Sequence, residues 1–261
     1  VETRVAAIGL VSLIACRSAP TSISEARADE PAAGSAPAVA VVELFTSEGC
    51  SSCPPADRVL ADLAESSDRR IYALSFHVDY WDDLGWPDRF ASRSYTGRQQ
   101  AYSRALGVRG MYTPQMIVNG AEEFTGSDRD RAEAAVSHAL ARPSQVRLSI
   151  RPQWTAPNMT RVDYAASEFV PGASLVVAAV EHKAVTVVLR GENAGKTLRH
   201  ENVVRSLVSV PLASATGSVV LPVPLSLARP DAELIAWVQH APASADGMHV
   251  LGAARSPLPP S

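Results

Sequence analysis

Apolar and polar positions follow two regimes along the 261-residue chain. Between residues 39 and 140, strand-length apolar runs alternate with helical spacing. Residues 39–45, Val-Ala-Val-Val-Glu-Leu-Phe, predict a buried strand rich in β-branched and aromatic side chains. Thr46 to Gly49 make a turn, Pro54 and Pro55 suit a first helical turn, and Val59, Leu60 and Leu63 recur at helical spacing. Residues 71–76 read as a second buried strand, and strand, helix, strand predicts a parallel pair. A helix over about 89–106 follows, then a short strand, the Asn119-Gly120 hairpin, a return strand over 121–124 and an amphipathic helix over 129–140 behind Ser127 and Asp128.

From residue 146 the helical signals stop. Short runs at 146–151, 160–165, 175–181, 185–190, 203–210, 218–222, 233–239 and 250–253, separated by Pro, Gly and Asn, predict an antiparallel sandwich of about 110 residues. The fold class expected is therefore an α/β domain over 39–143 followed by an all-β sandwich over 144–261. At the other end, residues 5–14 form an apolar segment behind Arg4, which predicts a signal peptide over 1–15. Leu13-Ile14-Ala15-Cys16 resembles a bacterial lipobox, which implies a lipid on Cys16, membrane association and an extracytoplasmic location. Residues 16–38, rich in Ala, Ser, Pro and Glu, read as a tether unable to bury a core.

Composition is ordinary for a globular chain, at 46% apolar and 20% charged. A formal net charge of -3 and a pI near 6.1 give no basic footprint for nucleic acid. Chemistry concentrates in the cysteines, of which there are three. With Cys16 lipidated, Cys50 and Cys53 remain, at a predicted helix N-terminus where unpaired amides favour thiolate. A staple across so short a loop contributes only about 2 kcal/mol, against nearly 5 for a loop of about a hundred residues. Redox or metal chemistry is the better reading of the pair. Nine of the fifteen aromatic residues lie between Tyr72 and Tyr112. Most suit core packing, but Tyr80, Trp81 and Trp86 follow a strand's C-terminal end, where ligands bind in open α/β sheets. Gly191-Glu-Asn-Ala-Gly-Lys-Thr has one residue too few between its glycines for a phosphate loop and reads as a polar loop between strands. His138, His182, His200, His240 and His249 show no ligand spacing and read as surface or packing residues.

The order of elements from 39 to 140, with Cys-Ser-Ser-Cys at a helix start and Thr113-Pro114 before a short strand, resembles the thioredoxin fold. Phe-Thr-Ser-Glu-Gly-Cys-Ser-Ser-Cys-Pro-Pro, Tyr-Thr-Pro-Gln and Val-Asn-Gly together resemble a bacterial secreted family with a thioredoxin-like domain of unknown function. The resemblance implies a cis Pro114 lying against the cysteines, and makes Glu43 a counterpart of thioredoxin's buried acid, though one residue further from the first cysteine. A salt-bridged or solvated Glu43 is the competing reading. The sequence departs from thioredoxin in having Gly49 where a Trp precedes the first cysteine, Ser-Ser between the thiols, and Glu48 beside them. The function expected is an exported thiol-disulfide oxidoreductase without a cofactor, acting on protein or small-molecule disulfides. Cys50, the more exposed thiol, attacks, Cys53 resolves, Thr113 and Pro114 shape the groove, and the sandwich docks a thiol- or disulfide-bearing protein partner. The alternatives are a copper or zinc binding or delivery protein using Cys50, Cys53 and His77, and a binding module whose cysteines rest as a disulfide.

Overall fold

Strand β1 (Ala40–Thr46) is buried along its whole length and separates two cores. Val41 and Phe45 pack with Tyr95 and Tyr102 of α2 (Arg93–Ala105), whereas Ala40, Val42 and Leu44 pack with α1 (Pro54–Ala64) and α3 (Arg129–Leu140). A strand covered on both faces needs a near-continuous apolar run, which residues 39–45 supply apart from Glu43. The computed structural model describes residues 1–3, 36–242, 244 and 247–259, so Cys16 and most of the expected signal segment and tether lie outside the described residues.

Strand β2 (Ile71–His77) pairs in parallel with all of β1, and β3 (Gln115–Val118) and β4 (Glu122–Thr125) extend the other side antiparallel. Asn119 and Gly120 turn the hairpin with positive φ at both positions. Gly120 is required twice over, because a Cβ there would stand 2.0 Å from the Met248 carbonyl oxygen. Helix α2 begins later than its apolar spacing predicts, because Ser92 caps it by accepting the Ser94 amide.

The expected separation into an α/β domain and a sandwich is overturned. Strands β7 (Ala173–Val187), β8 (Thr197–Pro211), β10 (Ala232–His240) and β11 (Val250–Pro257) belong to the same eight-stranded mixed sheet, in the order β11-β10-β7-β8-β2-β1-β3-β4. The join is narrow: β8 meets β2 in parallel at Ser75 and Val203, and Asn202, at positive φ, donates its side-chain amide to the Ala73 carbonyl at 3.1 Å. Among the described residues, only β5 (Leu148–Ala156), β6 (Met159–Ala166) and β9 (Thr216–Pro222) form a second sheet. It covers Leu175, Val177 and Ala179 of β7, while Val176, Ala178 and Val180 on the opposite face share a core with Val41 and Phe76. Most of the predicted strand runs are present. The runs at 175–181 and 185–190 fall on one fifteen-residue strand, β7, and the loop that follows it.

A buried cation ties the sheet's two halves together. Arg98 of α2 donates to Glu43 on β1 at 2.5 and 2.8 Å, to Gln239 on β10 at 2.7 Å and to the Tyr102 hydroxyl at 2.9 Å. Removing one partner of such a pair leaves the other charged and out of water, which costs about 3–5 kcal/mol. Arg98→Ala is therefore expected to lower unfolding stability by that amount in urea titrations, and Glu43→Leu combined with Arg98→Met to recover most of it. Equal losses in both variants would show that packing, not the charge, holds the halves together.

Candidate active site: a covered disulfide above buried acids and histidines

The chain leaves β1 through a tight turn, in which the Cys50 amide bonds the Ser47 carbonyl, and Cys50 and Cys53 are joined as a disulfide. Cys53 is the N-cap of α1, with Pro54 and Pro55 at the first helical positions, and its carbonyl receives the amides of Ala56 and Asp57. The Ser52 hydroxyl lies 3.3 Å from the Cys50 sulfur. The Thr113-Pro114 peptide is cis, as the family resemblance implied. Thr113 accepts the Trp81 indole N–H at 2.8 Å, and the Trp81 Cβ stands 3.3 Å from where a Cβ on Gly49 would lie. A tryptophan from the segment after β2 thus takes the space beside the residue that precedes Cys50, which explains why that residue is glycine.

Neither cysteine has exposed surface, each at 0%, which corrects the expectation of an accessible Cys50. The polar loop between β7 and β8, residues 188–196, is seated on the turn that carries the cysteines. The buried side chain of Asn193 donates to the carbonyls of Glu48 and Cys50, both at 2.9 Å, and Glu192 accepts the Ser51 amide at 3.0 Å. Gly191, at φ 77°, rests on the Gly85-Trp86 turn, where an added Cβ would meet the Trp86 Cβ at 3.2 Å. A side chain at this position would lift the loop off its seat.

Beneath this turn five ionisable groups are buried together: Glu48, Asp57, His77, Asp88 and His200. Asp88 joins the His77 Nδ1 at 2.6 Å and accepts the amides of Glu48 and Phe90 at 2.8 and 2.9 Å. Burial pushes the Asp88 carboxyl upward, but His77 and the two amides outweigh it and hold it at about 2. Burial likewise opposes a charged His77, yet Asp88, with Asp57 and Glu48 further off, raises it above its ordinary value. His200 lies 3.5 Å from Glu48 and 3.8 Å from Asp57, and its ring crosses that of His77 at 4.7 Å between centroids. Asp57, one turn into α1 and hydrogen-bonded to Thr46 at 2.8 Å, is raised by burial despite the histidines. Glu48 is lowered: burial works upward, but His200 and the Trp86 indole N–H, at 2.8 Å, prevail.

The sequence profile of the family described as "Protein of unknown function (DUF1223)" matches residues 41–239. The chain belongs to this family. It is similar to the crystal structure of protein AGR_C_4864 from Agrobacterium tumefaciens, at 32% identity, a TM-score of 0.62, and coverage of 84% of this chain and 94% of that one. It also shares its fold with HBP35 of Porphyromonas gingivalis, at 15% identity, a TM-score of 0.62, and coverage of 86% and 76%. Among curated proteins nothing matches significantly.

In this DUF1223 chain the structure gathers Cys50, Cys53, Trp81, Thr113 and Trp86 around one turn. Glu43 lies elsewhere: alternation along β1 turns it with Val41 and Phe45 toward α2, on the face opposite α1, where Arg98 and Tyr102 occupy it. The metal-ligand set Cys50, Cys53 and His77 is not assembled either. The sulfurs are bonded to each other, His77 is turned onto Asp88, and among the described residues no three His, Cys, Asp or Glu side chains form a group suited to a metal. Sequence reasoning missed Asp57, Asp88, Asn193 and His200. Asp57 carried a signal, as an acid on the buried arc of α1 four residues after Cys53. Asp88 shows only once the segment after β2 folds back onto His77 and the Glu48 amide, and Asn193 and His200 only once β8 and its loop are placed beside β2.

The His77–Asp88 pair makes stability pH-dependent. Asp88's contribution is complete above its ordinary value of 3.8 and is lost as pH falls through about 2. His77's contribution is complete below its ordinary 6.5 and is lost as pH rises through its raised value. Asp88→Asn is therefore expected to cost about 3–5 kcal/mol near pH 5 and far less near pH 2. A difference constant across that range, in urea midpoints, would contradict the ion pair.

Proposed function

We propose that this protein is an exported thiol-disulfide oxidoreductase of the thioredoxin superfamily, anchored to a membrane by lipid on Cys16, with Cys50 and Cys53 as its redox couple. The observation that carries the reading is the disulfide's position at the first turn of α1, beside Trp81 and Thr113 and above a buried acid with a raised carboxyl. The local strand order β2-β1-β3-β4, with α1 and α3 on one face and α2 on the other, supports the superfamily assignment. A staple gains little from closing so short a loop.

A partner thiolate attacks the Cys50 sulfur, the Cys50–Cys53 bond breaks, and Cys53 leaves as a thiolate favoured by the amides of the helix start. A second partner thiolate then attacks the partner's sulfur in the mixed disulfide. Cys50 is released as a thiolate and the partner is oxidised, and the reverse sequence reduces a partner disulfide. Asp57, whose amide bonds the Cys53 carbonyl, supplies a buried group able to exchange a proton with Cys53. Thr113, through the Trp81 indole that stands beside Gly49, and the adjoining Pro114 are assigned the shaping of the partner's groove.

Cys53→Ser is expected to trap mixed disulfides through Cys50 in cells, seen as adducts on non-reducing gels that reductant removes, and Cys50→Ser to trap none. Absence of adducts from both variants would sink the oxidoreductase reading.

A further inference from the structure

A cleft of about 420 Å³ opens beside the disulfide, between the first turn of α1 and the start of β8. Pro54, Asp57 and Arg58 line it on the α1 side, and Lys196, Thr197 and Arg199 on the β8 side. Its three cations, Arg58, Lys196 and Arg199, are all exposed, on a chain whose formal net charge is -3. Arg58 and Arg199 pair with no acid among the described residues. Asp57, the one acid in the lining, is buried and hydrogen-bonded to Thr46. The cleft therefore offers an uncompensated positive charge beside the first turns of α1, the helix that Cys53 caps.

Lys196 connects the cleft to the 188–196 loop. Its ammonium donates to the Asn193 side-chain oxygen at 2.9 Å, and the Asn193 amide nitrogen holds the carbonyls of Glu48 and Cys50. A carboxylate seated among the three cations competes for that ammonium, and a charge-assisted hydrogen bond is roughly twice as strong as one to a neutral amide. Turning Lys196 toward the ligand removes one of the contacts that hold Asn193 over Cys50.

We propose that this cleft is a docking subsite for an acidic peptide segment of a protein partner, and that its occupation releases the 188–196 loop from the disulfide. That the partner is also a thiol-disulfide substrate rests on the oxidoreductase reading above; docking and uncovering do not. Such coupling restricts the disulfide to partners bearing Asp or Glu near the reacting cysteine.

The test follows reduction of Cys50–Cys53 in the oxidised protein by dithiothreitol, with acid quench, alkylation and mass spectrometry. One dithiothreitol thiolate attacks a protein sulfur and displaces the other. Its second thiolate then closes the ring, leaving cyclic oxidised dithiothreitol and two protein thiolates that water protonates. A cysteine-free peptide of alternating Glu and Ser is expected to accelerate this reduction about tenfold at low ionic strength, and the gain to vanish in high salt. Combining Arg58→Gln with Arg199→Gln is expected to abolish the acceleration. Asn193→Ala is expected to raise the rate without peptide by about tenfold, since two hydrogen bonds to buried carbonyls are lost. No acceleration, equal acceleration by a Lys-Ser peptide or by inorganic phosphate, acceleration surviving in the double variant, or an unchanged Asn193→Ala rate would each overturn the proposal. Peptide-driven uncovering in a protein that never forms mixed disulfides would instead sink the oxidoreductase reading and leave the subsite standing.

Discussion

Three carboxyl groups and two imidazoles held out of water beneath one disulfide constrain the surrounding structure. Desolvating that many ionisable groups is tolerable only where each charge meets a counter-charge or a hydrogen-bond donor. Asp88 finds His77 and two backbone amides, Glu48 finds the Trp86 indole, and Asp57 finds Thr46. These partners come from the ends of β1 and β2, the turn after β1 and the segment 85–92 that leads into α2. The narrow parallel join between β2 and β8 is more than an accident of packing. It brings His200 between Glu48 and Asp57, 3.5 and 3.8 Å away, so that the two carboxyl groups share a histidine in addition to their single hydrogen bonds from Trp86 and Thr46.

The same join places the 188–196 loop over the cysteines. A disulfide at a helix start is ordinarily the most accessible part of a redox site, and here it has no exposed surface. Asn193 and Glu192 instead satisfy main-chain groups of Glu48, Cys50 and Ser51. Under the proposed oxidoreductase function, exchange at this disulfide requires that the loop be displaced.

Much of this could be read from the sequence, and the remainder could not for identifiable reasons. The β1 run, the proline-marked start of α1, the Asn119-Gly120 hairpin and the helix over 129–140 carry local signals and lie where those signals put them. The strand runs beyond 146 were also legible, but their partners were not. β7 buries both faces, so its composition does not say which sheet it joins, and a single paired position with β2 leaves no periodic trace. Glu43 illustrates a finer limit: its spacing to Cys50 resembles that of a relay acid, yet side-chain alternation turns it to the other face of the sheet. His200 looked like one of five scattered histidines, because only the tertiary pairing of β8 carries it to Glu48.

The central claim, that Cys50 and Cys53 form a working redox couple rather than a staple, is tested most directly by an equilibrium redox titration of the purified protein. The thiol content at each poise would be read by mass spectrometry after alkylation. The account predicts a reversible two-electron transition with a midpoint between about -270 and -120 mV, the span of exchange-active protein dithiols. A midpoint below about -300 mV, where structural disulfides lie, would contradict it.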